Sequence, residues 1–158
     1  MKNYVPTKEW MAYAIGALGQ GMVYAIMSSY ISDFYLNVLK LTPIFVLLLV
    51  LLARIWDAAI DPILGYYMDR ANPKHGKLKS YIIYTPIPIA VLTILLFYSP
   101  DLSGGALMAY CVITYLLWST VYSVSDVPFW SLPNLMTPNP DERGAIVSRA
   151  RTSNGVGS

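Results

Sequence analysis

The chain has 158 residues, of which 56% are hydrophobic and only 13% charged, and its formal net charge is +2. Soluble domains carry about 25% charged residues, so this deficit excludes an ordinary soluble domain and points to an all-α, polytopic membrane protein whose surroundings are the lipid bilayer. A net charge this small also excludes nucleic acid as a partner.

The first apolar segment runs over about 10–36. Lys2 precedes it, but the segment is long and lacks a small-residue cleavage site, so it reads as a retained span and not a cleaved signal peptide. It is rich in small residues, namely Gly16, Gly19, Gly21, Ser28 and Ser29, which let helix backbones approach closely in a membrane. Gln20 is the polar group at its middle, either as packing glue or as the lining of a cavity. Asp33, Lys40 and Pro43 mark a short connection.

The second span, about 42–68, begins as an uninterrupted apolar run from Ile44 to Leu52 and continues as ARIWDAAIDPILGYYMDR, which ends at Arg70. Arg54, Asp57 and Asp61 lie inside it. A charge at the bilayer centre costs about 2.5–3.5 kcal/mol on insertion scales, so ionisable groups kept there mark function. Asp57 and Asp61 are four apart and stack on one helix face, with Arg54 three before Asp57. Two carboxylates facing a bundle interior can hold a small cation. The competing reading is a structural ion pair of Arg54 with one of them, although one guanidinium neutralises two carboxylates poorly.

The segment 69–79, DRANPKHGKLK, is a basic loop and by the positive-inside rule is cytoplasmic. A third span follows over about 81–98, with Pro86 and Pro88 expected to kink its first half. Ser99 to Gly105 lacks Lys and Arg, as an outer turn should. The fourth span covers about 106–126 and brings Asp126 to or near membrane depth. Pro128 should loosen this helix by freeing a carbonyl near residue 124, and freed backbone beside a carboxylate is where ligands sit. Ser123, Asp126 and Trp130 share a face, with Tyr122 beside it. A hydroxyl, a carboxylate and an indole suit a sugar; the alternative is an interfacial aromatic belt with Asp126 as a helix-end charge.

A second cytoplasmic loop is expected at about 137–148, where Asn139 or Asp141 caps a helix starting near Glu142. Arg149 and Arg151 follow, at the start of a fifth span. Cys111 is the only cysteine and reads as a buried spectator thiol, while His75 is the only histidine and lies in the basic loop. There is no metal-ligand spacing, Gly-rich phosphate loop or nucleophile elbow, so the sequence reads as no enzyme and needs no cofactor. The expected topology is four transmembrane helices plus the start of a fifth, multi-pass in the cell membrane with a cytoplasmic amino terminus. The chain reads as a single partial domain over 1–158, the front of a longer transporter whose carboxy-terminal half is missing.

The stretch ARIWDAAIDPILGYYMDR with the GKLK after it, together with SVSDVPFWSLPNLMTPNPDERG, resembles the glycoside–pentoside–hexuronide:cation symporters, the melibiose-permease-like family of the major facilitator superfamily. The resemblance covers essentially the whole chain and implies a partial major-facilitator amino-terminal half. It implies that Asp57 and Asp61 hold the coupling Na⁺, Li⁺ or H⁺, and that they are metal ligands where the ion is Na⁺. It places Ser123 where the family often has a Thr of the cation site, and gives Asp126 both sugar hydroxyls and a contact with that site. Trp130 matches the aromatic under the sugar ring, Tyr122 a neighbouring contact, and Arg151 an arginine near the sugar. The chain departs from the pattern at Gln20 and Gly21, where a Lys–Asp pair grips the sugar, and at Ile60, where an Asn precedes the second helix-two Asp. The first departure weighs against a galactoside and the second favours H⁺ over Na⁺. The expected function is cation-coupled sugar or glycoside symport by alternating access. The alternatives are transport of an amphiphile such as a lysolipid, and a helical scaffold whose charges only fix packing.

Overall fold

The computed structural model describes residues 5–70 and 82–157, and every regular element among them is helical. The order is α1 (Thr7–Asp33), a π-helical turn (Phe34–Val38), α2 (Pro43–Arg70), α3 (Pro86–Leu96), α4 (Gly105–Met136) and α5 (Pro140–Gly157). Three of the apolar helical segments, Thr7–Val38, Pro43–Met68 and Gly105–Met136, are long and apolar enough to cross a membrane, and Ile82–Leu96 is a shorter apolar one. The described residues divide into two compact units, one of residues 5–30 with 130–157 and one of residues 31–129.

The first helix does not stop where its apolar run ends. It widens into the π turn, in which the Leu39 N–H reaches the Phe34 carbonyl at 3.1 Å and the Leu41 N–H reaches the Tyr35 carbonyl at 3.0 Å. Lys40 then adopts a left-handed conformation with φ 52° and turns the chain into α2. Phe34 meets Phe97 edge-on at 5.5 Å, which anchors the turn.

Two expectations are corrected and a third is refined. The third span is interrupted at Thr85, and Pro86 opens α3 just after that break instead of bending a continuous helix. Its missing N–H is harmless in a first helical turn, where no partner is required. The fourth helix does not end near Asp126 but runs on to Met136, through Pro128 and Pro133. A proline removes one backbone bond, and the buried packing of both rings holds the helix together across them. The segment expected as a loop over 137–148 is loop only before Pro140. The Asn139 side chain caps α5, with its Oδ1 accepting the Asp141 N–H at 3.0 Å. The basic loop over 71–79 lies outside the described residues.

Candidate functional site

Asp57 owes its position to a stripe. The buried side chains of α2 include Val46, Leu49 and Ala53, at 5%, 2% and 2% exposure. Their spacing of three and four is that of a single helix face, and the next place on that face is Asp57. The opposite face, with Ile44, Leu47, Leu48, Leu51 and Ile55, is exposed and apolar. Asp57 is therefore carried inward by the same periodicity that leaves the leucines outward, and it is half-buried.

The helix it meets is α4, whose buried stripe runs through Cys111, Tyr115, Trp118, Ser119 and Ser123. The Ser119 hydroxyl donates a hydrogen bond to Oδ1 of Asp57. One residue along, the indole N–H of Trp56 donates to Oγ1 of Thr120 at 2.9 Å. Thr120 in turn donates to the Leu116 carbonyl at 2.8 Å. Two neighbours on α2 are thus tied to two neighbours on α4, which fixes the register of the pair. Ser123 is buried one turn beyond Ser119, and Asp126 is half-buried one turn beyond Ser123. Asp61 and Arg54 are exposed on α2, and Ile60 is half-buried. Tyr122 is stacked on Trp118, with centroids 5.0 Å apart and planes at 10°. The Trp118 indole donates to Thr93 at 2.8 Å, which holds that stack against α3.

The other unit gathers a second set of expected residues. The Arg151 guanidinium lies 5.6 Å from the centre of the Trp130 ring, within cation–π range. Tyr13 meets Trp130 edge-on at 6.5 Å and 87°. Gln20 is half-buried on α1. Gly21 beside it is buried, and a Cβ there would run into the backbone carbonyl of Asn154 on α5. The Asn154 side chain donates to the Ala17 carbonyl at 2.9 Å, so α1 and α5 pack backbone to backbone at this point. The position that the resemblance would give to a sugar-gripping acid is filled by a neighbouring helix.

Among the described residues no three His, Cys, Asp or Glu side chains gather as a metal-ion group. The oxygen bonded to Asp57 is a hydroxyl, and oxygen donors suit hard cations better than soft metals. Ser119, Trp56, Thr120, Tyr13 and Asn154 were not among the expected site residues. Ser119 was within reach, since it stands four before Ser123 and extends the face of Ser123, Asp126 and Trp130 by one turn. The roles of Tyr13 and Asn154 have no local signal in the sequence.

The profile of the MFS/sugar transport protein family matches residues 12–158. This chain belongs to that family. Family members similar to it include YagG of Escherichia coli K12, named as a candidate glycoside/cation symporter, 31% identical over 89% of this chain and 31% of that protein. The isoprimeverose transporter of Lactiplantibacillus pentosus is 32% identical over 90% of this chain and 30% of its own length. The sodium-dependent lysophosphatidylcholine symporter 1 of Gallus gallus is 26% identical over 90% of this chain and 27% of its own length. The chain thus spans about a third of the length of the curated relatives it matches. The motifs of α2 and α4 carry a family relationship with the glycoside/cation symporters, and the helices are those of a partial major-facilitator fold.

Proposed function

We propose that this chain acts as the amino-terminal part of a cation-coupled sugar symporter in the cell membrane, with its amino terminus cytoplasmic. The observation that carries this reading is Asp57, a carboxylate on the inward stripe of a lipid-spanning helix, bonded to a serine hydroxyl of the facing helix. A carboxylate accepts at about four positions, so one hydroxyl leaves room for an ion. Charge retained at membrane depth is kept for the ion that visits it.

In this reading Asp57 and Asp61 receive the cation, with Ser123 and Asp126 contributing oxygens. Asp126 binds sugar hydroxyls, and Trp130 offers its face to the C–H side of the ring. Tyr122, Arg151 and Gln20 complete the substrate contacts. Neutralising the carboxylates lowers the barrier to moving the pathway past the bilayer centre, and the binding of cation and sugar strengthen each other by one shared coupling free energy. The names of the isoprimeverose and glycoside relatives support the sugar.

The test is Asp57→Asn in the whole transporter. Sugar binding should lose its stimulation by Na⁺, Li⁺ or acid, while stimulation equal to that of the unmodified protein sinks the reading. A second reading, a lysolipid as cargo, is favoured by the lysophosphatidylcholine relative and by the filled position at Gly21. Direct binding of a panel of pentosides, hexuronides and lysolipids separates the two.

A further inference from the structure

We infer that Ser119 is a ligand of the coupling cation, that this cation is Na⁺ or Li⁺, and that the Ser119 oxygen supplies part of the preference for it. The inference rests on the cation role proposed above for Asp57, sets the Ser119 hydroxyl against the H⁺ preference expected from Ile60, and adds a residue that the family motifs do not mark.

The first ground is the direction of the Ser119 hydroxyl. Hydroxyls in membrane helices commonly bend back onto their own backbone. On α4, Thr114 does so, donating to the Tyr110 carbonyl at 2.7 Å, and Thr120 does so to Leu116 at 2.8 Å. Ser119 instead donates across to Asp57. A serine hydroxyl has one proton and two lone pairs, and donation to the carboxylate uses only the proton. The lone pairs stay available beside a carboxylate oxygen. This is the pairing a hard cation needs: one anionic oxygen to cancel its charge and neutral oxygens to replace its water.

The second ground is what surrounds the pair. Ser119 and Ser123 are each 7% exposed and stand one turn apart on α4, with Ser119 bonded to α2. They line up two neutral oxygens along one carboxylate-bearing helix. Neutral hydroxyl oxygens replace the water of a hard metal cation such as Na⁺ or Li⁺, a service that a proton bound to a carboxylate does not need. The third ground is that α2 and α4 stay joined when the ion takes the Ser119 oxygen, because the Trp56 indole also donates to Thr120 at 2.9 Å, one residue away.

The experiment measures Na⁺ and Li⁺ binding directly by calorimetry on the purified whole transporter, at fixed pH, with sugar affinity at saturating cation and thermal unfolding as controls. Ser119→Ala should weaken Na⁺ binding about tenfold or more, as loss of an oxygen from a charged partner does. Its sugar affinity at saturating Na⁺ should stay unchanged, and Ser119→Thr, which keeps the oxygen, should restore the ion. If Ser119→Ala does not fold, Ser119→Cys takes its place, because a thiol of similar size is a poor ligand for a hard ion. Na⁺ affinity within twofold of the unmodified protein in the hydroxyl-free variant overturns the inference, as does an unmodified protein that binds neither ion. If Asp57→Asn also leaves ion binding intact, the functional reading itself falls. If Asp57→Asn abolishes binding and Ser119→Ala does not alter it, only the role of Ser119 is lost.

Discussion

Asp57 and Glu142 are both half-buried carboxylates that accept from a hydroxyl, and the contrast between them separates a site from a joint. Glu142 accepts the Thr137 hydroxyl at 2.7 Å on one oxygen and the Val5 N–H at 3.1 Å on the other. Around it Thr137 is 1% exposed, its carbonyl takes the Arg143 guanidinium at 3.2 Å, and its hydroxyl accepts the Asn139 N–H at 3.2 Å. Both oxygens of that carboxylate are spoken for by groups that hold the corner between α4 and α5. Among the described residues Asp57 has a hydroxyl on one oxygen only, in the middle of a span that is apolar on its outward side. A polar group that is fully satisfied rigidifies its surroundings; one that is part-satisfied in low dielectric is poised for a further ligand.

The two acids should therefore respond in opposite ways. Glu142→Ala removes a charged acceptor from two donors, and by the usual worth of such bonds should lower stability by about 2–3 kcal/mol. Thermal unfolding of the purified whole transporter reads this, and ion affinity measured at a temperature where the variant is folded should not change. Asp57→Asn should leave unfolding close to that of the unmodified protein and abolish the cation response. If Glu142→Ala removed the cation response, or Asp57→Asn caused the larger loss of stability, the distinction between site and joint would be wrong.

How much of this was legible in the sequence follows the range of the forces involved. The long helices were, because apolar length and period are local properties, and so was the inward turn of Asp57, because Val46, Leu49, Ala53 and Asp57 are written with helical spacing. The end of α4 was misread because proline was weighed as a local breaker. Pro128 and Pro133 are instead buried by packing that no window of sequence contains. The capping of α5 by Asn139 was one of two options in the sequence, and the side-chain bond to Asp141 decided between them. The close approach at Gly21 was not legible at all. In sequence it was only the place where a family acid is lacking. Its reason lies more than a hundred residues away, in Asn154.

That approach gives the next test by size. Gly21→Ala places a methyl against the backbone carbonyl of Asn154, which cannot swing aside as a side-chain tip can. Overpacking of this kind destabilises by about 1–3 kcal/mol, and Gly19→Ala, with open space around its added Cβ, is the control. A Gly21→Ala protein as stable as the Gly19→Ala protein would mean that α1 and α5 do not meet here. The lack of a sugar-gripping acid at this position would then need another explanation.

The smallest effect belongs to Asn139. Its side chain satisfies one otherwise unpaired N–H at the start of α5, and its carbonyl accepts from Arg143 at 3.0 Å whatever the side chain is. Asn139→Ala removes only the first, so it should cost about 1 kcal/mol, while Asn139→Asp should cost less because a carboxylate also caps and favours the positive end of the helix. A cap confined to one end of α5 should lower stability without changing the ion affinity attributed to Asp57 and Ser119. A shift in Na⁺ affinity in Asn139→Ala, with stability held, would show that the corner and the carboxylate are coupled, and that the joint contributes to binding.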